Sequence, residues 1–293
     1  MKAIVTVGIS CSGKSVLASE LKQQGWIDIN RDDIRFNTFC SGVRDWRLYH
    51  FSSGREKMVT EIEQQMLLKA VAEKKNVIVS NTNLNKHLRE KLVKNLTDLG
   101  YEVEVRAMPV EYDEAIRRDI FRSNGVGESV IQRQWQQWNK FIGRRVYTPP
   151  SIGCEAIIFD IDGTLADHDG IRGHFEWDKV DLDRPVPHII DMANGYAAEG
   201  IEYKIICVSG RDGSCREKTE QWLEEYRVPY DELFMRAAGD NRKDWVVKEE
   251  IFWDNIADKY RVSAVVDDRP QVLRMWRDIG LNTICVGNPW INF

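Results

Sequence analysis

The sequence predicts an α/β protein built as two successive units, each a parallel sheet with helices on its faces. Three observations point there. Short β-branched runs alternate with longer stretches of helical periodicity, the alternation halts at a proline- and glycine-bearing segment mid-chain, and it resumes beyond that segment. The 293 residues suffice for two ordinary domains, and a hydrophobic content of 43% supports buried cores rather than disorder.

In the first unit, Ala3–Val7 reads as a buried strand ending at Gly8, and a helix follows from Lys14 to about Gln24. Trp26–Asn30 is the next strand, then a polar helical stretch and a long helix over Arg55–Lys74. Val77–Val79 is a third strand, Asn85–Leu99 a helix, and Tyr101–Met108 alternates as a strand does. Helices over Glu111–Phe121 and Glu128–Phe141 close the unit, which the sequence bounds at residues 1–146. Gly143–Gly153, with adjacent prolines, is the expected linker. The second unit, 154–293, reads as strand Cys154–Ile161, helix Val186–Glu199, strand Tyr203–Ser209, helices Arg216–Tyr226 and Lys243–Asp258, strand Val262–Val266, helix Pro270–Ile279 and strand Asn282–Val286.

Net charge is −5, but it is divided unevenly. Residues 1–150 carry 24 Lys and Arg against 18 Asp and Glu; the remainder carries 17 against 28. A basic half suits a polyanion and an acidic half suits a metal site. The cysteines Cys11, Cys40, Cys154, Cys207, Cys215 and Cys285 form no CxxC pair, which argues against a disulfide framework or structural zinc and for a reducing, cytoplasmic setting. No run of 18 apolar residues exists, which excludes a transmembrane helix.

Gly8-Ile9-Ser10-Cys11-Ser12-Gly13-Lys14-Ser15 matches GxxxxGKS between a strand and a helix. Glycines let the backbone wind around phosphate oxygens, and the helix N-terminus adds positive potential. Gly8, Ser10, Ser12 and Gly13 form the cradle for a nucleoside triphosphate, Lys14 should reach its β/γ-phosphates, and the Ser15 hydroxyl should ligate Mg²⁺. After the second strand comes Asn30-Arg31-Asp32-Asp33-Ile34-Arg35. An Asp at a strand's carboxyl end can take a hydroxyl proton from a phosphoryl acceptor, and Arg35, one helical turn past Asp32, can hold an acceptor phosphate. The competing reading is capping by Asp32 or Asp33 with Arg35 solvated. Arg117, Arg118 and Arg122 form a basic ridge that either closes over a triphosphate or is a solvated helix face. Trp135, Trp138 and Phe141, three apart, fit a buried helix face better than a base-stacking surface.

In the second unit, Ala156–Phe159 runs into Asp160-Ile161-Asp162-Gly163-Thr164-Leu165. The chemistry this serves is aspartyl phosphoryl transfer: one Asp attacks phosphorus, and the other, two residues on, protonates the leaving oxygen. Ser209-Gly210-Arg211 ends a later strand with phosphate-holding groups, Lys248 can neutralise charge, and Asp267-Asp268-Arg269 supplies paired acids for Mg²⁺.

The motif set DxDGTL, SGR, Lys and DDR is similar to the haloacid-dehalogenase phosphatase superfamily. Behind a GxxxxGKS unit that also carries Asn30-Arg31-Asp32-Asp33 and Ser80–Asn85, the whole chain resembles the polynucleotide kinase–phosphatase family of T-even bacteriophages. That resemblance implies a P-loop kinase sheet followed by a haloacid-dehalogenase-like Rossmannoid sheet. It implies ATP-dependent phosphorylation of RNA or DNA 5′-hydroxyl ends and removal of 3′-phosphates, in the host cytoplasm if the chain is phage-encoded. By resemblance Asp32 is the general base, Arg35 contacts the acceptor and Arg122 is the lid arginine that meets the nucleotide. Asp160 is the nucleophile, Asp162 the general acid–base, and Arg172, Ser209, Arg211, Asp244 and Lys248 occupy phosphatase-site positions. Asp160, Asp162, Asp267 and Asp268 serve the metal. A homotetramer and an RNA ligase as functional partner are further implications. The chain departs from the family at Cys11, where a loop glycine is usual, and at Asn81, where Asp is. The alternative from the residues alone is a small-molecule kinase fused to a nucleotidase.

Overall fold

The computed structural model describes residues 1–198 and 203–287 and divides into two compact units, Met1–Arg144 and Arg145–Phe293. Glu199, the last residue of one expected helix, and the end of the expected second domain from 288 onward lie outside the described residues.

The first unit runs β1 (Lys2–Val7), α1 (Lys14–Gln23), β2 (Ile27–Ile29), α2 (Arg31–Phe39), α3 (Ser53–Ala72), β3 (Val77–Val79), α4 (Lys86–Asp98), β4 (Glu102–Ala107), α5 (Tyr112–Ile120) and α6 (Glu128–Phe141). Its sheet has the order β2-β3-β1-β4 and every pairing is parallel. Alternation along β1 sends Ala3 and Val5 to one face, packed with Leu67 of α3 and Leu96 of α4, and Ile4 to the other, packed with Ala18 and Leu21 of α1. Both faces are therefore covered, which is why β3 is apolar throughout and β1 is apolar but for exposed Lys2 and buried Thr6, whose hydroxyl donates to the Val79 carbonyl at 3.2 Å. Trp138 is buried against Tyr112 and Ile131, with Trp135 and Phe141 half-buried beside them, so the aromatic triplet packs α6 as a core face.

The second unit runs β5 (Cys154–Phe159), a short antiparallel pair β6 (Ala166–Asp167) and β7 (Arg184–Pro185), α7 (Pro187–Tyr196), β8 (Tyr203–Asp212), α8 (Arg216–Glu225), β9 (Glu232–Arg236), α9 (Asp244–Ile251), β10 (Tyr260–Asp267), α10 (Pro270–Asp278) and β11 (Thr283–Cys285). The five-stranded sheet is parallel in the order β11-β10-β5-β8-β9. Central β5 sends Ile158 to a core with Phe252, Met275 and Trp276, and Ile157 and Phe159 to one with Ile189, Trp222 and Leu223. Two features differ from the sequence reading. β9, Glu-Leu-Phe-Met-Arg, contains no β-branched residue and is a strand because it pairs with β8. The helix expected to run to Asp258 is α-helical only to Ile251 and continues as a π-helical turn over Phe252–Ile256. The breaker-rich segment is anchored at Tyr147, which donates to the Tyr260 carbonyl at 2.7 Å and accepts from the Val262 N–H at 2.9 Å. All six cysteines are free. No helix among the described residues is long and apolar enough to cross a membrane.

Candidate active sites

In both sheets the chemistry-bearing residues stand where strands end, at the carboxyl edge where parallel sheets bind ligands. β1 opens directly into the Gly8–Ser15 loop. Gly8 must lack a side chain, because a Cβ there would meet the Met108 carbonyl oxygen at 2.6 Å. Cys11 adopts a left-handed backbone with φ 65°, which explains why a glycine suits that position better. The Lys14 ammonium is buried within its own loop, donating to the carbonyls of Gly8 at 3.0 Å and Ile9 at 2.5 Å and to Ser12 Oγ at 3.1 Å. Burial pushes its pKa down to about 8; Cys11 and Asp32 oppose that shift and Arg122 adds to it, so these four side chains share one electrostatic neighbourhood. Ser15 is exposed at the start of α1, and the Ser10 N–H donates to Gln134 Oε1 at 2.6 Å.

Asn30, not Asp32 or Asp33, caps α2, accepting from the N–H groups of both aspartates at 2.9 and 3.2 Å. Asp32 is thereby free for other work, with 48% of its side chain exposed. Nor is Arg35 solvated: it donates to Asp32 Oδ1 at 2.6 Å and holds Glu56 of α3 through Nε and Nη2 at 3.0 and 2.7 Å. The sequence reading missed Glu56. Arg35 holds its carboxyl down to about 2, Tyr49 donates to it at 2.8 Å, and Arg31 reaches it at 3.2 Å. Asn81, the other departure from the family, accepts from the Arg31 N–H at 2.8 Å and so braces the start of α2. The arginine ridge splits. Arg117 and Arg118 pair with Glu114, and Arg118 also donates to the Cys11 carbonyl at 3.1 Å. Arg122 lies beyond the end of α5, not on it, with Nη1 3.4 Å from Cys11 Sγ.

The second site is a buried charge network. β5 delivers Asp160 and β10 delivers Asp267. Lys248, fully buried on α9, lies 2.8 Å from Asp160, 3.0 Å from Asp267 and 3.4 Å from Asp244. Burial pushes the Asp160 carboxyl well up despite Lys248, with Asp267 and Asp268 adding to the rise; burial and Asp267 raise Asp268 to about 6. Asp162 points the other way. Burial opposes its charge, but Arg211 and Arg172 outweigh it and hold the carboxyl at about 2. Arg211 donates to Asp162 Oδ1 at 2.9 and 2.6 Å and Arg172 at 2.9 Å. Both arginines also grip Asp183, which takes two bonds of 2.8 Å from Arg172 and one of 2.6 Å from Arg211. Asp183 is a second residue the sequence reading missed. Ser209 is fully buried and accepts from the Arg211 N–H at 3.2 Å; Asp244 pairs with Arg236 at 3.3 Å.

Asp160, Asp267 and Asp268 place one carboxylate oxygen each within 4.8 Å of one another; Asp162, turned to its arginines, is not in that group. The three fit a divalent cation. Asp268 Oδ1 is buried without a hydrogen-bond partner, the two raised carboxyls call for positive charge, and Gly163, at φ 83°, leaves open the space a Cβ would fill against Asp268.

Residues 4–144 match the AAA domain family, and residues 154–289 match the phosphatase domain of polynucleotide kinase PNKP. The first unit is thus of the AAA type and the second a haloacid-dehalogenase-type phosphatase domain, domain types that use a nucleotide and a divalent metal. The second unit belongs to the family of polynucleotide-kinase phosphatase domains. It is 33% identical over 294 residues to a protein of Autographa californica nuclear polyhedrosis virus named as a bifunctional polynucleotide kinase/RNA ligase; the match takes in 96% of this chain but only 42% of that one. A chain in the structure of the Pnkp1/Rnl/Hen1 RNA repair complex is 27% identical, with 97% of this chain and 95% of that one covered and a TM-score of 0.45. The haloacid dehalogenase-like hydrolase SP0104 of Streptococcus pneumoniae is 14% identical over 45% of this chain and 83% of its own, with a TM-score of 0.34.

Proposed function

We propose that the chain heals broken nucleic-acid ends: the first unit moves the γ-phosphate of ATP onto a 5′-hydroxyl, and the second hydrolyses a 3′-phosphate. The observation that carries this reading is the presence in one chain of a P-loop electrostatically linked to Asp32 and of the buried Asp160–Lys248–Asp267 cluster, inside a match to the PNKP phosphatase domain. The basic first half favours a polyanionic acceptor over a free nucleoside.

In the kinase unit, Lys14 exchanges its loop carbonyls for the β/γ-phosphates, and Ser15 would hold Mg²⁺. Asp32 accepts the proton of the attacking 5′-hydroxyl, Arg35 holds an acceptor phosphate, and Arg122 balances charge on the transferred group. In the phosphatase unit, Asp160 attacks phosphorus as the bond to the 3′-oxygen breaks, and Asp162 donates its proton to that oxygen. Water then attacks the aspartyl-phosphate, Asp162 takes the water's proton, and inorganic phosphate leaves. Mg²⁺ on Asp160, Asp267 and Asp268 would offset the charge of nucleophile and phosphate. Burial favours the protonated form of Asp162 and Arg172 and Arg211 oppose it, so Asp162 takes up a proton from solvent before it can act as the acid. Ser209 and Lys248 hold the phosphate and the cluster's charge. The viral relative's name pairs a polynucleotide kinase with an RNA ligase, and ends treated this way are the substrates a ligase needs.

The test compares 5′-hydroxyl oligonucleotides with free nucleosides as acceptors, and 3′-phosphate oligonucleotides with mononucleotides. Oligonucleotides should win by about 10²-fold or more in kcat/KM, since contacts remote from the reacting atoms contribute to the transition state. Equal use of both would favour a small-molecule kinase fused to a nucleotidase.

A further inference from the structure

The segment between β6 and β7 carries Arg172 into the buried network, and three residues later leaves Phe175 84% exposed. An apolar ring in that state contributes little to folding. Its position is informative: Phe175 and Trp177 line the same cleft of about 460 Å³ as Asp160 and Asp162. That volume exceeds what a phosphate group fills and falls in the range that takes a nucleoside-sized ligand. The pair is also ordered from below. Phe175 meets Trp177 edge to face, with centroids 6.0 Å apart at 82°, and the Arg172 guanidinium stands 5.7 Å from the Trp177 ring centre. Arg172 is in turn fixed by Asp162 and Asp183, so the rings are tied to the group that would protonate the leaving oxygen. Arg236, Arg242 and Lys243 line the cleft as well, with Arg236 paired to Asp244 and Arg242 to Asp240.

We propose that Phe175, supported by Trp177, is a stacking lip for the nucleobase of the residue that bears the 3′-phosphate. The inference rests on the phosphatase reading above and names what selects its substrate. Stacking on a ring face tolerates any base, so the lip would distinguish a nucleic-acid end from other phosphomonoesters without reading sequence.

The experiment measures phosphate release from two 3′-phosphorylated strands, made as RNA and as DNA, that differ only in whether the terminal residue carries a base or is abasic. Wild type should show a KM about tenfold higher for the abasic strand, the scale of one stacked base. Phe175→Ala should raise the KM of the base-bearing strand to that level while leaving the abasic strand and kcat unchanged, which also shows that the variant is folded; Phe175→Trp should restore it. A Phe175→Ala variant that shifts both strands equally, or neither, overturns the stacking lip and leaves the phosphatase reading intact. If wild type releases phosphate from neither strand, both fall.

Discussion

Asp32 and Asp160 each follow a strand of a parallel sheet, and each is assigned the decisive proton or bond in moving a phosphoryl group, yet 48% of the Asp32 side chain is exposed and 4% of Asp160. The difference runs through both sites. Around Asp160 the charges are buried and already gathered: Lys248 touches three carboxylates, and two arginines share Asp162 with Asp183. Around Asp32 the partners are half-buried, and Lys14 spends its hydrogen bonds on its own loop. A buried network stays assembled because each member left unpaired would cost several kcal/mol. An open site has no such constraint, and under the proposed function it would form fully only when a nucleotide replaces the internal bonds of Lys14.

Breaking the buried side should therefore cost the most. Asp183→Ala leaves Arg172 and Arg211, both buried, to share Asp162 alone, and it should destabilise the C-terminal unit by about 3–5 kcal/mol. Denaturant unfolding followed by tryptophan fluorescence checks this, since Trp222 lies against the network and donates to the Asp183 carbonyl at 2.8 Å. A loss under about 1 kcal/mol would mean that water replaces the carboxylate and that the burial argued above is not what holds the site. On the open side the corresponding change should be milder. Glu56→Gln keeps the shape of the Arg35 clamp but removes its charge, and should lower kinase kcat/KM by about tenfold with little change in stability. Acceptor titrations at saturating ATP read the first effect and thermal melting the second; a stability loss matching that of Asp183→Ala would erase the contrast between the sites.

The sequence revealed what is local. GxxxxGKS between strand and helix, and two aspartates two residues apart after an apolar strand, carry their geometry in a few adjacent residues, so both strand-end sites were readable. Glu56 was not, because it joins Arg35 from a different helix 21 residues on, and an acid in an amphipathic helix looks like any solvated one. Asp183 was hidden for the same reason, 28 residues from Arg211. The competing reading in which Asp32 or Asp33 caps α2 fails because Asn30, an equally good cap type, takes the role, which only the backbone shows. Arg122 was put on a helix that ends at Ile120, the usual uncertainty of a helix terminus. The exposure of Phe175 could not be foreseen, since an aromatic beside a tryptophan reads as core until a fold shows it lining a cleft.

The central claim is that one polypeptide holds two separate sites acting on opposite ends of a strand. A single oligonucleotide with a 5′-hydroxyl and a 3′-phosphate tests it, with label from the ATP γ-phosphate reporting one end and released inorganic phosphate the other, for wild type, Asp32→Asn and Asp160→Asn. Asp32→Asn should lose labelling by about 10²-fold or more and keep phosphate release; Asp160→Asn should do the reverse. Either substitution removing both activities would contradict the account.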